Sequence, residues 1–161
     1  MDTGLILVGT GHRPNRLGGY SYSTQDKLAR LATTAVQQLQ PSYGYCGGAL
    51  GWDMAWGEAL MDAGIPYCMA LPWPDMGLRW SFNQRLTFRL LKEKADRVHY
   101  LSDRYYKGVY IVRDKYMVDN AQGVVALLDP TATTSGTYQT VQYAESLHLP
   151  IMNLWPLYIA L

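Results

Sequence analysis

The stretch LILVGTGHRPNRLGGY, Leu5 to Tyr20, joins an unbroken apolar run to a loop carrying glycines, a histidine and two arginines. Apolar residues from Leu5 to Val8 with no polar alternation describe a strand covered on both faces. Beyond the loop, Ser23 offers an N-cap with Asp26 three residues on. Leu28, Leu31, Ala35 and Leu39 then recur at helical spacing until Pro41 stops the pattern.

The same rhythm continues to the end of the chain. Further strands are predicted at Tyr43 to Cys46, Ile65 to Leu71, Val98 to Leu101, Val124 to Leu128 and Ile151 to Leu154. Helices are predicted from about Leu50 to Asp62, Trp80 to Lys94, Val112 to Ala121 and Thr137 to Leu147, with Phe82, Leu86 and Leu90 on one side of the second. No repeat, low-complexity tract or linker interrupts this order, so residues 1–161 read as one domain. Such alternation predicts an α/β, Rossmann-like domain: a mostly parallel sheet with helices on both faces. Ligands of such sheets bind beyond the carboxyl ends of the strands. That rule gathers four loops at one edge: Gly9 to Tyr20, Gly47 to Asp53, Leu71 to Trp80 and Asp129 to Thr137.

Composition narrows the class. Of 161 residues, 48% are hydrophobic and 17% charged, as in a folded globular protein. Fourteen basic residues against thirteen acidic ones, with no Lys/Arg run, lead to the expectation that nucleic acid is not a partner. The start lacks the basic and apolar regions of a signal peptide, and the apolar tail IMNLWPLYIAL falls short of the roughly 20 residues that span a bilayer. A cytoplasmic protein with no membrane partner is expected. Cys46 and Cys68 have no metal-ligand spacing and read as buried reduced thiols. His99 and His148 each stand alone. No metal and no cofactor is expected.

The loops carry the chemistry. Gly9 and Gly11 match the start of G-x-G-x-x-G, but Pro14 stands at the third glycine and no helix follows directly, so an ordinary dinucleotide fingerprint is absent. What remains is a tight turn presenting His12, Arg13 and Arg16, either solvated or aimed at an anion. In GGALGWD, Gly47, Gly48 and Gly51 precede a helix whose free N–H groups and dipole favour an anion. Asp53 there either caps the helix or accepts from a ribose or base, and Trp52 either packs in the core or stacks on a base. Trp73 and Trp80 flank Asp75 and Arg79 in a loop that either folds over a ligand or covers the sheet. Ser135, Gly136 and Thr137 open a further helix with hydroxyls and free N–H groups suited to phosphate or ribose.

GTGHRP, GGALGWDMAWGEA, the Pro72-Trp73 to Trp80 segment, RDKYMVDNAQGVVALLD and SGTYQTVQYA followed by LPI resemble, in order and over nearly the whole chain, the YpsA-like branch of the SLOG superfamily. The resemblance implies a nucleotide- or nucleotide-sugar-binding unit related to the LOG phosphoribohydrolases and to SLOG sensor domains for NAD-derived messengers. It places the ligand between the glycine loops, with Arg113 and Asp119 among the binding residues beside those already named. LOG hydrolases resemble P-G-G-x-G-T-x-x-E in the last loop, the glutamate being catalytic. Here Gly136-Thr137 fits G-T, but Thr140 stands at the glutamate position and supplies no carboxylate for hydrolysis. Asp53 and Glu58 are the carboxylates that could substitute, and Glu58 also reads as a helix-surface charge.

The expectation is therefore a protein that binds a nucleotide or ADP-ribose-like ligand as a sensor or by sequestration. The alternative is a LOG-like hydrolase of N-glycosidic bonds. The apolar tail after Pro156 adds the expectation of a homo-oligomer.

Overall fold

The structure is a computed structural model that describes residues 4–161. Six parallel strands, β1 (Ile6–Gly11), β2 (Tyr43–Cys46), β3 (Tyr67–Leu71), β4 (Arg97–Tyr100), β5 (Gly123–Leu127) and β6 (Ile151–Asn153), form one sheet in the order β4-β3-β2-β1-β5-β6. The helices are α1 (Tyr22–Leu39), α2 (Trp52–Asp62), α3 (Phe82–Lys94), α4 (Val109–Asp119), α5 (Gly136–Ser146) and the short α6 (Trp155–Ile159). This is the Rossmann-like α/β architecture that the alternation of patterns predicts.

Right-handed crossovers sort the helices between the two faces. Residues of α1, α2, α3 and α6 share one apolar cluster with Leu7, Val125 and Leu127. Residues of α4 and α5 share the other with Val8, Val124 and Ala126. Successive side chains of β1 and β5 thus feed opposite layers, as a strand buried on both faces requires.

The strand β1 runs to Gly11, past the Val8 end expected from its apolar run, and pairs Gly9 with Val125 and Gly11 with Leu127. Both glycines lie within the strand itself. They face α2, where an added Cβ would stand 2.4 Å from Trp56 Cγ at Gly9 and 2.5 Å from Trp52 Cβ at Gly11. Missing side chains on the strand let two indoles lie directly on it. Both indoles are fully buried, and each N–H finds a carbonyl: Trp52 Nε1 donates to Val125 O and Trp56 Nε1 to Tyr45 O, at 3.3 and 3.2 Å.

Three other expectations change. The N-cap of α1 is Ser21, whose hydroxyl accepts from the Thr24 N–H, not Ser23. On α3 the buried side chains are Phe88 and Leu91, while Phe82, Leu86 and Leu90 form a solvent-facing stripe; two apolar stripes share this helix, and periodicity alone does not say which turns inward. After β6 the chain forms α6, with Pro156 in the first turn, where its missing N–H costs nothing. The tail is partly intramolecular: Tyr158 is buried and its hydroxyl donates to Leu17 O, while Leu157, Ile159 and Leu161 are exposed. No helix among the described residues is long and apolar enough to cross a membrane.

Candidate functional site

From β1 the chain steps outward through β2, β3 and β4, then returns to the other side of β1 as β5. Connections therefore diverge above the carboxyl ends of β1 and β5, which is where an α/β sheet opens a crevice. A crevice of about 370 Å³ lies there. Its floor is Thr10, Gly11 and His12; Asp53 comes from the start of α2, Tyr110, Arg113 and Asp114 from α4, and Ser135, Gly136 and Thr137 from the start of α5. Arg13 and Arg16 stand at its rim, both exposed, with the Arg13 guanidinium 4.9 Å from the centre of the Tyr110 ring.

His12 is a buried fastener. Its N–H donates to Leu127 O at 3.3 Å, and its Nε2 accepts from the Asp129 N–H at 2.9 Å. An accepting Nε2 leaves the proton on Nδ1, so the ring is neutral. Burial, with Arg16 adding, holds its pKa below the usual histidine value against the opposing pull of Asp129. The two strand ends that frame the crevice are thereby locked together.

The start of α5 brings a helix N-terminus to the crevice wall. Ser135 caps the helix, accepting from the Tyr138 N–H at 3.1 Å and donating to Ala132 O at 2.7 Å. Gly136 and Thr137 come next, and their N–H groups have no carbonyl one turn earlier to bond. A Cβ added at Gly136 would meet nothing within 4 Å, so the side-chain position there is open space.

Behind that opening lies a buried charged network. Arg113 Nε donates to Asp114 Oδ1 at 2.6 Å, and Nη1 donates to Gly47 O. The Thr140 hydroxyl lies 3.0 Å from Asp114 Oδ2 and 2.8 Å from Gly136 O, and its single proton serves one of them. Asp53 completes the group. Its Oδ1 is buried without a hydrogen-bond partner. Burial pushes its carboxyl up to about 7, Asp114 adding and Arg113 and Arg13 opposing. Its unpartnered oxygen lies at the crevice, where it can accept from a hydroxyl or, when protonated, donate to one.

The structure brings Gly11, His12, Arg13, Asp53, Arg113, Ser135, Gly136 and Thr137 to one crevice. It does not bring the others there. Gly47 is a buttress, since a Cβ on it would lie 2.8 Å from both Arg113 Nη1 and Asp53 Oδ2. Gly48, at φ +74°, faces Leu71, Phe88 and Met69 in the core. Gly51, at φ +94°, lets the start of α2 pass against the backbone of His12 and Arg13. Trp52 is core, not a stacking platform. Trp73 packs edge-on against Tyr105 and Tyr110, one layer outside the crevice. Asp119 sits at the far end of α4, accepting from the Tyr143 hydroxyl at 2.5 Å. A helix that follows a parallel strand runs back toward the opposite sheet edge, so its last turn is remote from the strand ends. Glu58 lines a different cavity, between α1, α2 and α3. Thr140 lies in the buried network and not on the crevice wall.

Tyr110 and Asp114 belong to the crevice and escape the sequence reading. The signal was Arg113 itself, midway between Val109 and Met117 at i±4 on the inward stripe of α4. A buried arginine needs a buried acid, and Asp114 is adjacent. Cys46 and Cys68 are free and buried, and burial raises both thiols, Cys46 to about 12. Among the described residues no group of three or more His, Cys, Asp or Glu side chains could hold a metal ion.

The family model of the YspA SLOG family (YpsA) matches residues 7–154, from the first buried strand to the start of the final helix. The chain belongs to the YpsA SLOG family. No curated protein matches the sequence. Among solved structures, the SLOG chain is similar to DNA processing protein A (DprA) of Streptococcus pneumoniae, at TM-score 0.63 and 15% identity over 91% of this chain and 49% of that one. It is similar to DprA of Helicobacter pylori at 0.63 and 18% over 92% and 64%, and to the protein TM1055 at 0.60 and 16% over 94% and 72%. It thus spans about half the length of the first of these and under two thirds of the second. At these identities the likeness is one of fold. The H. pylori structure describes a single-stranded DNA binding mode. That finding corrects the expectation that nucleic acid is excluded as a partner, because this fold carries such binding in another protein and a missing Lys/Arg run is no exclusion.

Proposed function

We propose that this SLOG protein binds a nucleotide or an ADP-ribose-like, NAD-derived molecule in the crevice above β1 and β5, and acts as a sensor or by sequestration. The observation that carries the reading is the unobstructed start of α5. Gly136 and Thr137, the first residues of α5, line a crevice whose rim holds Arg13 and Arg16, and the N–H groups that open a helix lack intrahelical partners. A phosphate there gains the helix dipole and a guanidinium fork together. The crevice volume falls in the range of about 300–1,000 Å³ common to small-molecule sites. Asp53, with its buried unpartnered oxygen, and the neutral His12 add polar groups that suit ribose hydroxyls better than a second phosphate.

Calorimetry with AMP, ADP-ribose and a thymidine oligodeoxynucleotide tests the reading, alongside native mass spectrometry of the freshly purified protein for a retained nucleotide. The substitution Gly136→Asp places a carboxylate at the anion position while favouring the helix start. It is expected to keep the Tm and weaken nucleotide binding at least tenfold. Nucleotide affinity unchanged in Gly136→Asp, or binding of the oligonucleotide alone, refutes the reading.

One observation favours a second reading, hydrolysis of an N-glycosidic bond. Asp53 lines the crevice with a buried oxygen that has no hydrogen-bond partner, and burial raises its carboxyl, so it could act as a general acid or base although Thr140 stands at the position of the LOG glutamate. Free base released from nucleoside monophosphates by the wild type and not by Asp53→Asn, read by chromatography, would establish it. No release leaves a binding protein.

A further inference from the structure

The helix α3 carries more than its inward face explains. Its capping box is complete: Ser81 Oγ accepts from the Gln84 N–H at 3.3 Å, and Gln84 Oε1 accepts from the Ser81 N–H at 2.9 Å. Phe88 and Leu91 anchor it in the core. At about 100° per residue, Leu86 lies roughly 200° round from Phe88, straight out from the protein. Phe82 and Leu90 stand one turn to either side of Leu86 on the same face. Phe82, Leu86 and Leu90 are 78%, 50% and 42% exposed, and Leu78, in the turn before the helix, is 63% exposed. One exposed leucine is ordinary; a cluster of four large apolar side chains marks a contact surface.

Charge is as lopsided as burial here. Residues 79–94 hold five bases, Arg79, Arg85, Arg89, Lys92 and Lys94, and one acid, Glu93, a net +4 where the whole chain has +1. Arg79, Arg85, Arg89 and Lys94 are exposed, while the Lys92 ammonium lies 4.6 Å from the centre of the Phe88 ring. Among the described residues none of the five makes an ion pair. The other acids on the outside of this helix layer, Asp26, Glu58 and Asp62, belong to α1 and α2, and Asp26 is paired with Arg30 at 3.0 Å.

An apolar row edged by unpaired cations is the makeup of a helix that lies in a membrane interface. Arg85 and Arg89 edge one side of the row and Lys94 the other, so the ridge fits a plane of anionic headgroups. Tyr22, 90% exposed, lines a cavity with Asn83 and Gln84 and so stands beside the start of α3, where a tyrosine suits the membrane–water boundary. We propose that α3 docks the protein on an anionic lipid surface, its axis parallel to the bilayer plane, with Phe82, Leu86 and Leu90 entering the interface and Arg79, Arg85, Arg89 and Lys94 on the headgroup phosphates. The expectation of no membrane partner rests on the lack of spanning and signal segments, which does not bear on a helix lying flat. The capping box means that α3 is already formed before it docks, so no folding cost is added at the surface.

Sedimentation of the full chain with vesicles tests this. Mixed phosphatidylcholine–phosphatidylserine vesicles are expected to carry the protein down and pure phosphatidylcholine vesicles to leave it in solution, with release as salt rises from about 0.1 to 0.5 M. Each base at an anionic surface is worth about a fivefold gain in partitioning, so Arg85→Gln with Arg89→Gln should weaken binding about 25-fold. Phe82→Ser with Leu86→Gln should weaken it by about tenfold or more. All four positions are exposed, so both variants should melt like the wild type by circular dichroism. No sedimentation with the mixed vesicles, or equal sedimentation with phosphatidylcholine alone, overturns the proposal. So does binding that the arginine pair weakens and the apolar pair does not, which marks adsorption by charge without insertion.

Discussion

Replacing Gly9 by alanine tests the claim that the glycines of β1 are contacts of the core. The new methyl carbon would lie 2.4, 2.5 and 2.9 Å from Trp56 Cγ, Cδ1 and Cδ2, distances that no real Cβ keeps. Trp56 has nowhere to retreat, being fully buried with its N–H held by Tyr45 O at 3.2 Å. Overpacking of a tight core costs about 1–3 kcal/mol, and a strained or lost indole hydrogen bond adds about 1 kcal/mol. For a chain of 161 residues each 1 kcal/mol lowers Tm by about 2–4 °C. A total near 3 kcal/mol therefore predicts a fall of about 6–12 °C by circular dichroism. The pair is coupled, so Gly9→Ala combined with Trp56→Leu should lose less than the two single losses summed, because the smaller side chain vacates the space. Gly136→Ala is the control, since its Cβ meets open space. A Gly9→Ala protein melting within about 2 °C of the wild type, which corresponds to under 1 kcal/mol, would refute the argument.

Other expectations concern the buried network and the surface. Asp53 has a folded-state pKa near 7, above the unfolded carboxylate value, so it binds more protons folded than unfolded between about pH 4 and 7. Its contribution is complete at acid pH and lost as pH rises through 7, whereas His12, with a lowered pKa, works against stability as pH falls. The Tm advantage of Asp53→Asn over the wild type should thus be small at pH 5 and grow by pH 8; a pH-independent difference refutes the assignment. Thr140→Val removes the hydroxyl that lies between Asp114 Oδ2 and Gly136 O, leaving one of these buried acceptors without its donor, and is expected to cost about 1–3 kcal/mol in urea unfolding. Tyr158→Phe loses the bond to Leu17 O and should cost about 1 kcal/mol, which a free C-terminal tail would not show. Leu86→Gln, on the exposed stripe of α3, should change stability by no more than about 0.5 kcal/mol.

The fold was legible because its signals are local. Apolar runs with no alternation marked the buried strands, and Pro41, Gly64 and the serine before α5 punctuated the helices close to where the backbone turns. The crevice was legible in its polar half: strand-end residues His12 and Arg13 and the Ser135–Thr137 helix start fall where the α/β rule sends them. Contacts between elements distant in sequence were not legible. Gly9 and Gly11 imitate a phosphate loop because a glycine demanded by an indole 41 or 47 residues later looks like one demanded by a ligand. Trp52 hides under the crevice for the same reason, its destination set by the missing Cβ of Gly11. Asp114 and Thr140 meet across 26 residues, a pairing no spacing rule anticipates.

The seating of Trp52 beneath Gly11 has a consequence for how such a protein diversifies. The crevice floor and the hydrophobic core are one surface, with the strand backbone between crevice and indole. A mutation that reshapes the floor is therefore purged for its effect on folding before any new preference is exposed to selection. Arg13 and Arg16 carry no such double duty, being exposed rim positions. Lineages sharing this scaffold have the rim as their evolutionary frontier. Ligand preference can drift there while the base of the site stays frozen.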